Sequence, residues 1–248
     1  MKATNAAGPL TASEAVTPVF APRSAIEPVF VARKGQTRYQ SQVRRRAQIL
    51  AATRSIVAEG GPDCIKIREL AARSGVTPPT VYHLVGSRRD LMLSAILEAL
   101  KGKMEVVEDR AKRRCLDPIL TYTEVTLAAI SNDPGYYRQA IHIVNAGCAE
   151  DPSWNEVNLS ISRAYRKWLR LLPYDRTMIA AEQQISNLAD VMVRSLTGTI
   201  RDWADDVISM SDLRVQLAMA TGVLLLGVVG AEDRDRFRDW ILATTKGP

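Results

Sequence analysis

The stretch IRELAARSGVTPPTVYHLVGSRRDL, residues 67–91, decides the fold of this chain. It breaks into helix, tight turn, helix and the start of a third helix. Leu70, Ala71 and Val76 are apolar at the spacing of a helix and the turn after it. Gly75 stands where that helix must stop, and glycine enters the left-handed region without a Cβ penalty. Thr77 is a favoured N-cap type, and Pro78 follows at the first helical position, where a missing N–H costs nothing. The second helix is then short, from about Pro78 to Val85, with Gly86 ending it. Two short helices around a glycine turn predict a helix-turn-helix, whose second helix lies in the DNA major groove.

Immediately beyond, Ser87-Arg88-Arg89-Asp90 has the S-x-x-D form of a capping box ahead of the apolar Leu91, Met92, Ala95 and Ile96. Acidic residues are favoured in a helix's first turn, yet two arginines stand here. Their placement makes sense if that turn faces a polyanion.

Working outward, Ile49, Leu50, Ala51, Ala52, Glu59 and Gly60 precede the stretch. Together with Ile67 through Ala71, Gly75-Val76-Thr77, Thr80-Val81-Tyr82 and Ser87 through Leu91, they make the segment from about Arg44 to Leu93 resemble the DNA-binding domain of the TetR family of bacterial transcriptional regulators. The family usually carries an aromatic residue where Val85 stands, a lysine at Arg88, a small residue at Pro79 and threonine at Lys66. The resemblance covers about a fifth of the chain. It implies a homodimeric regulator, by family precedent a repressor, that binds a palindromic operator and is released by a small-molecule effector.

Charge agrees with a nucleic-acid reader. The chain carries 33 Lys and Arg against 27 Asp and Glu, a net +6, and that charge is not spread evenly. Residues 31–100 hold 12 basic and 5 acidic residues; residues 1–30 hold two of each, so the remainder is close to neutral at −1. A basic segment beside a neutral domain is the electrostatic footprint of DNA binding. Cys64, Cys115 and Cys148 are odd in number and show no metal or disulfide spacing, which predicts a reducing cytoplasm, no metal and no cofactor. No signal peptide is expected. The most apolar run, Leu217 to Gly230, is 14 residues and too short to span a bilayer.

The whole pattern is all-α: an N-terminal three-helix DNA-binding domain plus a C-terminal helical bundle for ligand binding and dimerisation. Residues 1–38, with four prolines and a basic end, read as a disordered arm. Residues 39–93 read as the DNA-binding domain and 94–248 as the helical domain. A first helix is expected from about Ser41 to Glu59, with Val43, Ala47, Leu50, Ala51, Arg54, Ile56 and Val57 as its helical stripe. A fourth runs from Ser87 to about Arg114; its second half is rich in charge, with Glu108 and Lys112 spaced to pair, and reads as a solvated linker. Asp117-Pro118, Asp133-Pro134 and Asp151-Pro152 each place an N-cap before a first-position proline and mark helices over about 118–131, 134–148 and 152–172. A long helix is expected over 175–208, another from Ser211-Asp212 to 229, and a short one over 231–244. The pair 175–208 and 211–229 is the predicted dimer four-helix bundle, with Ala218 and Gly222 small enough for close helix approach.

At the DNA, the recognition helix offers Thr77, Thr80, Tyr82 and His83. The threonine hydroxyls suit phosphates, and a threonine methyl suits a thymine methyl. The resemblance implies a phosphate contact for Tyr82 and a phosphate clamp for Arg88; Arg44 and Arg68 are further candidates. The helix has no Arg, Lys, Asn or Gln, the side chains that read bases bidentately, so specificity falls to His83, methyl contacts, Arg68 and DNA shape. For the effector, Tyr122, Tyr137, His142, Asn145, Trp168 and Met192 are the candidate pocket residues, with Tyr136, Trp154 and Trp203 behind them. No nucleophile, base and orienter come together, so no enzyme is expected. The competing reading is a helical interaction or effector-binding protein whose DNA-binding domain has been altered at Pro79 and Val85.

Overall fold

The computed structural model describes residues 38–114, 117–172 and 181–246. The predicted arm, apart from its last residue, lies outside them, as do Cys115 and the stretch 175–180. Among the described residues there are ten α-helices and no strand: α1 (Arg38–Gly60), α2 (Ile67–Arg73), α3 (Pro78–Val85), α4 (Arg88–Arg114), α5 (Pro118–Asn132), α6 (Pro134–Glu150), α7 (Asn155–Leu169), α8 (Glu182–Ala204), α9 (Met210–Leu226) and α10 (Ala231–Thr245). The all-α fold is as expected, and no described helix is long and apolar enough to cross a membrane.

Local chemistry explains the N-terminal boundaries. Gly75 has φ of 65°. Val76 N–H donates to the Ala71 carbonyl at 3.0 Å and Gly75 N–H to that of Ala72 at 3.2 Å, the crossed pair of a Schellman turn. Ser87 and Asp90 close the capping box: Ser87 N–H donates to Asp90 Oδ2 at 2.8 Å and Asp90 N–H to Ser87 Oγ at 3.2 Å. These serine bonds hold the Asp90 carboxyl below the usual carboxylate range. The Asp-Pro device works three times, with Asp117 accepting from Ile119 N–H at 2.8 Å, Asp133 from Tyr136 N–H at 3.2 Å and Asp151 from Ser153 N–H at 2.8 Å. The third opens a short 3-10 turn, Pro152–Trp154, that runs on into α7.

Three expectations need correction. First, α1 buries Ile49, Leu50, Thr53, Ile56 and Val57, whereas Val43, Ala47 and Ala51 are exposed. The inward face is rotated because α2, α3, α4 and α6 pack against that side. Second, the predicted helix over 175–208 is described from Glu182 and stops at Ala204. Asp206 takes φ of 59°, Val207 N–H donates to the Asp202 carbonyl at 2.9 Å, and Arg138 Nη1 holds Asp206 Oδ1 at 2.6 Å. The next helix starts at Met210, one residue before the predicted Ser211, because Ser209 rather than Ser211 forms the box with Asp212. Third, the second half of α4 is not a solvated linker. Leu100, Lys103 and Val107 lie on one face and are buried against the C-terminal helices, and Glu108 pairs with Lys167 of α7 at 2.6 Å rather than with Lys112.

Two apolar cores result. One gathers Ile49, Leu50, Ile56, Val57, Leu70, Ala71, Val81, Leu91 and Ala95 from α1 to α4, and then Tyr136 and Ala140 from α6. The other begins at Leu100 and takes in α5 and α7 to α10. Ala218 and Gly222 serve the second core. A Cβ on Gly222 would stand 2.2 Å from Ile241 Cγ1, so the close approach foreseen there is to the chain's own α10. At Gly147 of α6, a Cβ would fall 2.4 Å from the Trp154 ring. Alanine raises helix propensity by about 1 kcal/mol, but overpacking a rigid indole costs typically about 1–3 kcal/mol. Gly147→Ala is therefore expected to lower stability by up to about 2 kcal/mol in denaturant titration, and a gain would show that Trp154 can move.

Candidate nucleic-acid interface and ligand cavity

Helix α3 is fixed by its inner side. Val81 is buried in the first core, with Leu84 and Val85 packed at its edge, so Thr77, Tyr82 and His83 turn outward. Val85 thus fills the place of the expected aromatic residue as a packing group, and Pro79 sits exposed in the first turn, where proline is tolerated. Thr77 holds the N-cap position without capping a backbone N–H. Its Oγ1 lies 2.8 Å from Thr80 Oγ1, so one of the two hydroxyl protons remains free for an acceptor outside the protein. Tyr82 is 55% exposed, far more than a packing residue would be.

Lys66, Ile67, Arg68, Glu69, Pro78 and Tyr82 border one surface groove between the start of α2 and α3. Arg68 and Tyr82 thus share a face. Lys66 joins them, at a position where the family usually carries threonine. Arg44 is exposed on α1, while Arg46 is tied to α4 by a 3.1 Å bond from Nη2 to Ser94 Oγ. Arg88 Nη2 donates to the Pro62 carbonyl and lies 3.1 Å from Asp63 Oδ1, so it braces the turn after α1 against the start of α4. Arg73 braces the same region by bonding Glu59 and Glu69, each at 2.8 Å.

A cavity of about 450 Å³ opens between α4, α5, α6, α7 and α8. Of the residues proposed from sequence, Tyr122, Tyr137 and Asn145 line it, as does Tyr136. His142, Trp168 and Met192 do not. His142 is exposed, 3.4 Å from Asp205 Oδ1. Trp168 is 1% exposed and packs in tilted contact with Tyr122 and Tyr165, centroids 5.5 and 5.9 Å away. Met192 is buried among the second core's aliphatic side chains. Trp154 lies under Gly147, and Trp203 lies under Arg138, whose guanidinium carbon is 4.5 Å from the ring centre. The sequence reading missed Lys103, Arg194 and Arg201, which also line the cavity; lysine and arginine on charge-rich helices gave no signal of an inward position.

Helix α6 belongs to both places at once. Tyr136 and Ala140 line the cavity and also complete the core of the helix-turn-helix unit. At its far end Asp151 meets Arg89, from the first turn of α4, at 3.1 Å.

Comparison with known proteins agrees with this geometry. Residues 49–95 match the model of the bacterial regulatory proteins of the tetR family. The chain is 25% identical over 191 residues to the HTH-type transcriptional repressor KstR of Rhodococcus jostii, covering 73% of this chain and 86% of the relative. Its fold resembles a TetR-family transcriptional regulator from Mesorhizobium loti, with a TM-score of 0.53 and 14% identity over 79% of this chain and 100% of that one. It also resembles the TetR-family protein CprB from S. coelicolor, with a TM-score of 0.50 and 18% identity over 83% of this chain and 100% of that one.

Proposed function

Since this chain is a transcriptional regulator of the TetR family, we propose that it binds a palindromic operator as a homodimer, acts as a repressor, and is released when a small molecule enters the cavity between α4 and α8. The observation that carries this reading is the double membership of α6. Tyr136 and Ala140 cannot shift to accommodate a ligand without disturbing the core on which α1, α3 and α4 rest. Packed cores move between discrete arrangements rather than deforming smoothly, so occupancy can re-aim the reading head. The Arg89–Asp151 contact gives a second mechanical link between the two parts.

Dimerisation is assigned to α8 and α9. Val215, Met219 and Val223 recur at four-residue spacing along α9 and are 38%, 44% and 52% exposed, and Val191 of α8 is also exposed. A helical stripe of exposed apolar side chains is the usual mark of a partner helix, and a two-fold pair aligns two recognition helices with two half-sites. The basic groove with Lys66, Arg68 and Tyr82, the free threonine proton and the positive end of α4 supply the phosphate contacts. The likeness to a named repressor supports the direction of control.

The test is selection of bound duplexes from a random pool by the full chain at about physiological salt. An enriched palindrome is expected, and it should weaken in the combined Tyr82→Phe and Arg88→Ala variant. For Arg88→Ala alone, affinity should fall about tenfold for all sequences, and the slope of log affinity against log salt should shrink by about one. Circular dichroism controls for the brace that Arg88 makes with Pro62. Binding without any enriched sequence would reject a specific operator reader.

A further inference from the structure

We infer that the cavity takes an anionic amphiphile, an apolar molecule bearing one carboxylate or phosphate group, with Lys103 Nζ as its counter-ion. This rests on the effector reading above and names the chemistry of that site.

Lys103 is the reason. It is 7% exposed and lines the cavity, yet among the described residues no acid and no hydrogen-bond acceptor meets it. Its ammonium faces only the ring faces of Tyr137 and Tyr122, 5.1 and 5.8 Å from their centres. A buried ammonium without a counter-charge is strongly unfavourable, and proteins pair such groups or give them a ligand. Burial pulls Lys103 down to about 8, so it still carries charge at neutral pH. The groups around it do nothing to neutralise it. Burial pushes the phenols of Tyr122, Tyr136 and Tyr137 up, so they stay protonated. Across the cavity α8 adds Arg194 and Arg201, α7 presents Asn158 with Val157 and Ile161, and no acidic residue is among the described lining residues. The Tyr136 hydroxyl, buried and without a hydrogen-bond partner among the described residues, offers a further polar contact on the same wall. The rest of the wall is largely aliphatic, from Ile96 and Leu100 to Ile130 and Ile161. An apolar cage with one buried cation and no acid selects for an apolar body carrying a negative head.

The experiment is calorimetric titration of the full chain with four probes that share one alkyl chain: decanoate, decyl phosphate, decanamide and decylamine. We expect decanoate or decyl phosphate to bind at least tenfold more tightly than decanamide, with decylamine weakest. The tighter of the two anions identifies the head group. In Lys103→Met the anion-to-amide ratio should fall to near one. At pH 8, repeated in buffers of different ionisation enthalpy, the anion should take up roughly half a proton as it raises the Lys103 pKa, and decanamide should take up none. Equal affinity for acid and amide, a preference for decylamine, a ratio unchanged in Lys103→Met, or anion binding without proton uptake would each overturn the assignment while leaving an effector cavity in place. Binding of none of the four would overturn the effector reading itself. A thermal melt of Lys103→Met establishes that the variant is folded.

Discussion

The Lys103→Met variant is expected to be more stable than the wild type by about 1–3 kcal/mol at pH 7 in the absence of ligand. The sign follows from the protonation balance. Lys103 titrates at about 8 in the folded chain, against 10.5 when solvated. Between those two values the unfolded chain binds more protons, so wild-type stability rises with pH across that window. Below it the folded chain bears the full cost of a charged, buried ammonium, at about 1.4 kcal/mol for each unit of the difference. Methionine matches the length of the lysine stem and keeps its packing, so removing the charge recovers that cost. Part of the gain is offset by lost attraction to the Tyr122 and Tyr137 rings, about 0.5–2 kcal/mol for a cation–π contact. For a chain of this size the net change corresponds to a rise in Tm of roughly 2–12 °C. The advantage should fade as pH rises from about 8 and vanish by pH 10.5. Equal melting of the two proteins at pH 7 would mean that the Lys103 ammonium reaches water and would remove the physical basis for an anionic ligand.

Trp168→Ala should lower stability by about 3–5 kcal/mol, the range for emptying a large buried aromatic site. Trp168 is 1% exposed and sits with Tyr122 and Tyr165 at the centre of the second core, off the cavity. Trp168→Phe should cost much less, since it keeps most of the ring and removes an indole N–H that has no hydrogen-bond partner among the described residues. Chemical denaturation of the three proteins checks this. If Trp168→Ala kept wild-type stability but lost ligand binding, Trp168 would belong to the ligand site after all, and the packing described here would be wrong.

What could be read from sequence divides along a physical line. The helix-turn-helix was legible because its determinants act within a few residues. Gly75 supplies a left-handed turn, Pro78 a first helical position, and Ser87 with Asp90 a reciprocal cap, all decided by neighbours three or four positions away. The Asp-Pro starts at 117, 133 and 151 were legible for the same reason. Burial is different, because it is decided by whichever helix comes to lie alongside. Tyr122, Tyr137, Trp168 and Met192 have similar sequence surroundings, yet two line a cavity and two fill a core. Gly222 looked ready for a partner chain and faces Ile241 of its own. Lys103, in a run of charges on α4, looked solvated.

The sequence by itself therefore determined the helical class, the reading head and most helix boundaries. It also placed the positive charge on the DNA-binding segment. The tertiary structure alone decided which face of α1 and α4 is buried, which aromatic residues surround empty space, and that α6 joins the cavity to the reading head. Capping and turn chemistry are local and survive in any context. The position of a side chain relative to water depends on segments tens of residues away, as when α5, α6 and α8 close over Lys103 and leave its charge without a partner among the described residues.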